Sequence, residues 1–251
     1  LMRTLIGEAL RRHASAAYAP AALVSAFGAI SYVELVARVE RCAAWLLREG
    51  CAASVPVGIS VVDETDSLVV SLALLDLGVP QVTLSTGIPE PMRLALARRL
   101  ALGRVVVDHP RHALPDVAAS VLVPDELRDP ERLAPAALAC DPDAAAVFVT
   151  SSGTTGIPKI LELSQRVIAR RALQLADSQA FAHDERVLVP MSNQEYPGKS
   201  VRIYMLVLGA TAVHWPGGPL TPTSVPAYCA ATKATTLHLT VLQARALVND
   251  A

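Results

Sequence analysis

The sequence predicts an α/β fold of two parallel-sheet lobes with flanking helices. Short β-branched runs alternate with longer segments of helical period along most of the chain. The strand candidates stand far enough apart for helical crossovers, which parallel pairing requires. A proline- and charge-bearing stretch, 125–143, interrupts this alternation. It divides the chain into a first lobe over residues 1–140, which includes N-terminal helices and the connector, and a second over 141–251.

Each element has its own reason. Val55–Val62 (VPVGISVV) reads as a strand, and Thr65–Leu77 follows with helical spacing up to Gly78, a C-terminal stop. Within it, Leu68–Val79 is apolar apart from Asp76 and far short of the roughly 20 residues that span a bilayer, so it reads as a buried helix. Gln81–Ser85 is the next strand, Pro89–Leu102 a helix whose prolines are tolerated in the first turn, and Arg104–Asp108 and Val121–Val123 are short strands. Pro130, Pro135 and Pro142 mark the connector, with a helix over 130–139 as the alternative. Ala144–Thr150 opens the second series. After it come a strand at Ile160–Leu163, a helix at Gln165–Ala180, a strand at Arg186–Pro190 and a helix at Lys199–Leu208. The series closes with strand Ala210–Trp215, a helix over Thr221–Ala231 capped by Thr221 or Thr223, strand Thr235–Thr240 and helix Val241–Asp250.

Composition narrows the function. With 22 basic and 23 acidic residues the formal net charge is -1, which gives no sign of a nucleic-acid partner. No apolar run is long enough for a membrane span, and no secretory signal is visible. The 4 cysteines form no C-x-x-C pair, so reduced thiols and a cytoplasmic location are expected. His109 and His112 read as loop histidines, because Pro110 and Pro115 argue against a helix that would place them on one metal.

Residues 150–159, Thr-Ser-Ser-Gly-Thr-Thr-Gly-Ile-Pro-Lys, carry the chemistry. They follow an apolar strand. Gly153 and Gly156 permit backbone conformations closed to other residues, so that consecutive amides can converge on an anion. Ser151, Ser152, Thr154 and Thr155 add hydroxyl donors, and Lys159 adds a mobile positive charge. This inventory suits a polyphosphate. Only two residues separate the glycines, and Lys159 follows Ile157 and Pro158, so the loop is not a Walker A motif; nor is it G-x-G-x-x-G.

The ordered string Ser151–Lys159 resembles the phosphate loop of the adenylate-forming superfamily: acyl- and aryl-CoA ligases, luciferases and the adenylation domains of peptide synthetases. Weaker matches follow in family order. Ile30–Leu35 resembles a helix opening, Ala43–Gly50 a helix end and Val57–Pro80 a strand-helix unit. Asp184–Leu188 and Leu208–Thr211 are similar to family segments downstream of the loop. Ile160 stands where the family usually has Gly, and Gln165 where it commonly has His.

The resemblance implies the large N-terminal domain of such an enzyme, in part, with its two lobes stacked. It further implies ATP and Mg²⁺ as cofactors, a carboxylic acid as substrate and a thiol acceptor, either coenzyme A or a carrier protein. Ser151, Ser152, Gly153, Thr154, Thr155, Gly156 and Lys159 would bind ATP and pyrophosphate. Tyr196, in the segment Met191–Gly198 where relatives place a pocket loop, is the candidate wall of the acid pocket. Lys199 reads first as an exposed helix lysine, with neutralisation of a substrate carboxylate as the functional alternative. No metal ligand is assigned. The family's adenine and ribose segments and its lid lysine have no match in residues 160–251, so the expectation is a fragment of an acid-thiol ligase, inactive alone. The alternative is a non-catalytic nucleotide-binding or scaffold module derived from that family.

Overall fold

The computed structural model describes residues 4–17, 20–51, 55–124, 140–151, 159–179, 181 and 184–249. In chain order the elements are α1 (Leu5–Ala14), β1 (Ala21–Ser25), β2 (Gly28–Ser31), α2 (Tyr32–Arg48), β3 (Val57–Ser60), α3 (Glu64–Asp76) and β4 (Gln81–Thr83). Then come α4 (Glu90–Arg99), β5 (Arg104–Val107), β6 (Ala119–Leu122), β7 (Ala145–Ser151), β8 (Lys159–Ser164) and α5 (Gln165–Gln179). The chain continues through β9 (Arg186–Val189), α6 (Tyr196–Leu208), β10 (Thr211–His214), α7 (Ser224–Thr232), β11 (Thr236–Leu237) and α8 (Val241–Asn249).

Two sheets result, a six-stranded one in the order β6-β5-β3-β4-β7-β8 and a five-stranded one in the order β11-β9-β10-β1-β2. Both are mixed rather than wholly parallel. β8 runs antiparallel to β7, and β2 antiparallel to β1. Chain length is the reason: parallel neighbours need a crossover of about a dozen residues or more, and neither pair has that much chain between its strands. Sheet membership also crosses the expected division at residue 140. β7 and β8 join the sheet built by β3–β6, while β1 and β2 from the N-terminal part join β9–β11. The stretch 125–139, expected as the connector, lies outside the described residues.

The core explains why these segments fold as they do. In α3, Leu68, Leu72, Leu74 and Leu75 are each at most 1% exposed, and burying such a side chain contributes roughly 1.5–3 kcal/mol. Asp63 caps this helix by accepting from the Asp66 amide at 2.8 Å. Asp76, the charge in the apolar run, ends up buried but paired: Arg11 of α1 bonds its carboxylate, and the Thr4 hydroxyl donates to it at 3.0 Å. α2 opens with Ser31 accepting from the Glu34 amide at 3.1 Å. Tyr32, fully buried, donates its hydroxyl to the Ala210 carbonyl at 2.6 Å and so ties α2 to the end of α6. Gln165 is also buried. Its amide donates to the Leu75 carbonyl at 2.7 Å and accepts from the Ile6 amide at 3.3 Å, joining α5, α3 and α1. His112 sits at the end of a short 3-10 turn and bonds Asp108 at 2.7 Å.

Candidate nucleotide and acid site

β4 and β7 lie side by side and parallel, so their carboxyl ends open to one edge of the six-stranded sheet, the edge at which α/β sheets receive ligands. From the other sheet, the turn after β9 and the first turn of α6 reach the same place. A cavity of about 510 Å³ forms there, lined by Thr83 at the end of β4 and Ser85 after it, Phe148–Thr150 of β7, and Gln194–Pro197 leading into α6.

The two sheets are joined beside this cavity by a seam of polar contacts. Glu64, the first residue of α3, accepts from the Ser192 hydroxyl at 2.6 Å and from the Asn193 amide at 2.8 Å. The Asn193 side chain donates to the Glu64 carbonyl at 2.6 Å and accepts from Arg202 Nη1 at 3.0 Å. Arg202 Nη2 donates to the Val189 carbonyl at 2.8 Å, and the guanidinium lies 3.6 Å from the Glu64 carboxylate. Gln194 accepts from both the amide and the hydroxyl of Thr86, at 2.7 and 2.8 Å. Gly198 allows this close docking, because a Cβ there would stand 2.4 Å from the Ser192 carbonyl oxygen.

Lys199 is not the exposed helix lysine expected. It is 2% exposed and donates from Nζ to the Thr83 hydroxyl at 2.8 Å. Burial lowers its pKa to about 7, against the opposing pull of Glu64. Burial likewise brings Arg202 down to about 10. His214 at the end of β10 is pushed down to about 3 by burial and then by the Arg202 charge, so it is neutral.

The sequence-derived candidates fall as follows. Ser151 ends β7 and Lys159 begins β8, and the two strands are registered through that pair, one residue beyond the cavity-lining Thr150. Lys159 is exposed. Ser152, Gly153, Thr154, Thr155 and Gly156 lie outside the described residues. Tyr196 lines the cavity, and burial, then the neighbouring Tyr204, raise its phenol above the ordinary range. Among the described residues there is no cluster of three or more His, Cys, Asp or Glu that could hold a metal ion. Reasoning from sequence did not single out Thr83, Gln194 or Glu64. Lys199 was named, as an exposed helix lysine first and a carboxylate partner second; it stands three residues after Tyr196 on a helix and therefore shares its face.

Comparison with known proteins extends the geometry. The family model described as AMP-binding enzyme matches residues 10–251. Tenellin synthetase of Beauveria bassiana is 30% identical over 151 residues, covering 54% of this chain and 4% of that protein. Chondramide synthase of Chondromyces crocatus is 29% identical over 203 residues, covering 76% of this chain and 5% of that protein. Among solved structures, o-succinylbenzoate CoA synthetase from Bacillus subtilis, in complex with its acyl-adenylate intermediate, superposes with a TM-score of 0.85. It has 20% identity, over 97% of this chain and 64% of that one. The same enzyme in complex with ATP and magnesium ion gives 0.78 and 20% identity, over 91% of this chain and 62% of that one. The chain thus spans less than two thirds of the proteins it matches. The two mixed sheets with flanking helices match the N-terminal domain of adenylate-forming enzymes, and with a family model covering nearly its whole length the chain belongs to the AMP-binding enzyme family.

Proposed function

We propose that this chain is the N-terminal portion of an ATP-dependent carboxylate-activating ligase and is inactive alone. In this reading the acid's carboxylate oxygen attacks the α-phosphorus of ATP and the bond to the β-phosphate bridging oxygen breaks. Acyl-AMP and pyrophosphate form, and a thiol, from coenzyme A or a carrier protein, then takes the acyl group. Positioning and charge stabilisation are the protein's share of such a transfer.

The carrying observation is the string Ser151–Lys159, whose strands meet through Ser151 and Lys159 directly beside the cavity. The loop's hydroxyls and amides suit the β- and γ-phosphates, and Lys159 supplies charge to the leaving pyrophosphate. Mg²⁺ fits an oxygen-rich site of this kind when carried on the phosphates. The acid would enter the cavity against Tyr196. The free thiols, with Cys42 and Cys51 buried, agree with a cytoplasmic setting.

The test uses the full-length enzyme and the 251-residue chain together. The joint substitution Lys159→Ala and Thr155→Ala in the full-length enzyme should weaken ATP and pyrophosphate binding by about 100-fold without unfolding it, on the scale of lost charge-assisted hydrogen bonds. Unchanged binding would remove the loop's role. The chain alone should give no ATP–pyrophosphate exchange; exchange from it refutes the assignment as an incomplete enzyme. The scaffold reading has its own support in the exposed Val241, Leu242 and Val248 of α8. Clear ATP–magnesium affinity of the chain alone by titration calorimetry would favour the other form of that alternative, a non-catalytic nucleotide-binding module.

A further inference from the structure

The buried lysine behind the cavity is not used by the phosphate chemistry. Among the described residues Lys199 Nζ hydrogen-bonds the Thr83 hydroxyl alone, at 2.8 Å, and Thr83 forms part of the cavity wall. As an ammonium the lysine only donates, so in that form the Thr83 oxygen accepts and its own proton is left for another acceptor. Among the described residues that proton has none. It is available to the cavity.

Charge points the same way. Glu64 is the carboxylate that acts on Lys199, and it is shared with Arg202 at 3.6 Å and already holds Ser192 and the Asn193 amide. One partly shared carboxylate thus faces two buried cations. His214, held neutral, adds no negative charge. Burial with so little counter-charge brings Lys199 down to about 7, and an anion arriving beside Thr83 would hold it as the ammonium. Glu195 also lines the cavity, but it is exposed, so water screens its charge. The inner wall is therefore electropositive, with a hydroxyl donor at its surface.

We propose that Thr83, backed by Lys199, recognises a second acidic group on the substrate, so that the ligase activates a dicarboxylic acid. This rests on the ligase reading above. One carboxylate is adenylated; the other accepts the Thr83 hydroxyl and balances the Lys199 ammonium. Thr83 touches the ligand, and Lys199, acting through it, is a positioning residue. A plain hydrocarbon acid would leave the hydroxyl proton unpaired and the ammonium unbalanced, and a site built to hydrogen-bond discriminates strongly against an analogue that cannot answer.

ATP–pyrophosphate exchange by the full-length enzyme tests this with matched acids: glutarate against pentanoate, and phthalate against benzoate. The diacid of at least one pair should be preferred by about 100-fold in kcat/KM. Thr83→Val, which keeps shape and loses the hydroxyl, should bring that ratio down by about 100-fold, and Lys199→Met should lower it comparably. Thr83→Ser, which keeps the hydroxyl, should hold the ratio within about threefold of the wild type. A purely structural pair would shift stability and leave the ratio alone. Equal or better use of the monoacids, or a ratio indifferent to Thr83→Val, overturns the proposal and leaves the ligase reading standing. Exchange with no acid at all removes both.

Discussion

His214 is 4% exposed in β10, and neither of its ring nitrogens has a hydrogen-bond partner among the described residues. An unpaired buried polar atom costs about 1–3 kcal/mol, whereas an apolar group of similar volume at the same place costs nothing of that kind. Protonation makes matters worse. The folded pKa is about 3 against 6.5 for the free side chain, so the unfolded state takes up the proton first. This residue's contribution is complete above pH 6.5 and is lost as pH falls toward 3. His214→Leu should therefore raise stability at pH 7 by about 1–2 kcal/mol, and its advantage should grow between pH 6.5 and 4. Urea unfolding at several pH values measures both. A variant less stable than wild type at pH 5 would mean that the ring has a partner that the substitution removes.

At the scale of elements, α6 is fixed at both ends by features that its sequence states only in part. Its last turn closes on Gly209 at φ +83, a conformation that an L side chain adopts with strain, and a Cβ there would stand 2.7 Å from the His13 ring of α1. His13 in turn bonds the Val207 carbonyl at 2.9 Å. Gly209→Ala should cost about 1–3 kcal/mol by combining backbone strain with displacement of His13, and Gly209→Asn less, since Asn tolerates the left-handed region. Thermal unfolding of both variants checks the order; an Ala variant as stable as wild type would deny the contact. Gly209 was legible, for a Gly after an apolar helical run is a stop signal. So were β3 to β10 and the helices between them, whose periodicity is local. β1 and β2 were not, because β1 gains its strand character from pairing with β10, about 190 residues away, as at Leu23 and Ala212. Strand direction at the sheet edges was missed for the same reason, since periodicity says which residues are buried and not which neighbour they pair with. The site divides likewise. The phosphate loop is one contiguous string and was read at once, while Thr83, Glu64 and Lys199 are separated in sequence and meet only when the two sheets dock.

For the whole molecule, the question is whether the two sheets unfold together. One apolar cluster contains Val57 and Ile59 of the six-stranded sheet together with Val187 and Ala212 of the five-stranded one, as well as the buried apolar faces of α2, α3 and α6. A shared core of this kind predicts one cooperative transition, even though the chain passes from sheet to sheet. The polar seam adds to that coupling. Its centre is Glu64, whose side chain is 29% exposed, so its charge is partly screened and its removal costs less than the full loss of a buried pair. Glu64→Ala takes away the acceptor for Ser192 and the Asn193 amide and the counter-charge of Arg202. The expected cost is about 1–3 kcal/mol; Glu64→Gln, which keeps an acceptor oxygen, should cost less. Because the core is shared, both variants should lower the midpoint of one transition without splitting it. Far-UV dichroism and the fluorescence of Trp45, buried in α2, should remain superimposable through the urea curve. Amide exchange should quicken at Ser192–Lys199 and Thr86 before it does in β3 and β5, since the seam opens without exposing the strands beneath it. Two separated transitions in Glu64→Ala would instead show that the seam, and not the apolar cluster, makes the sheets one folding unit. Lys199 and Thr83 would then owe their alignment to Glu64 as well.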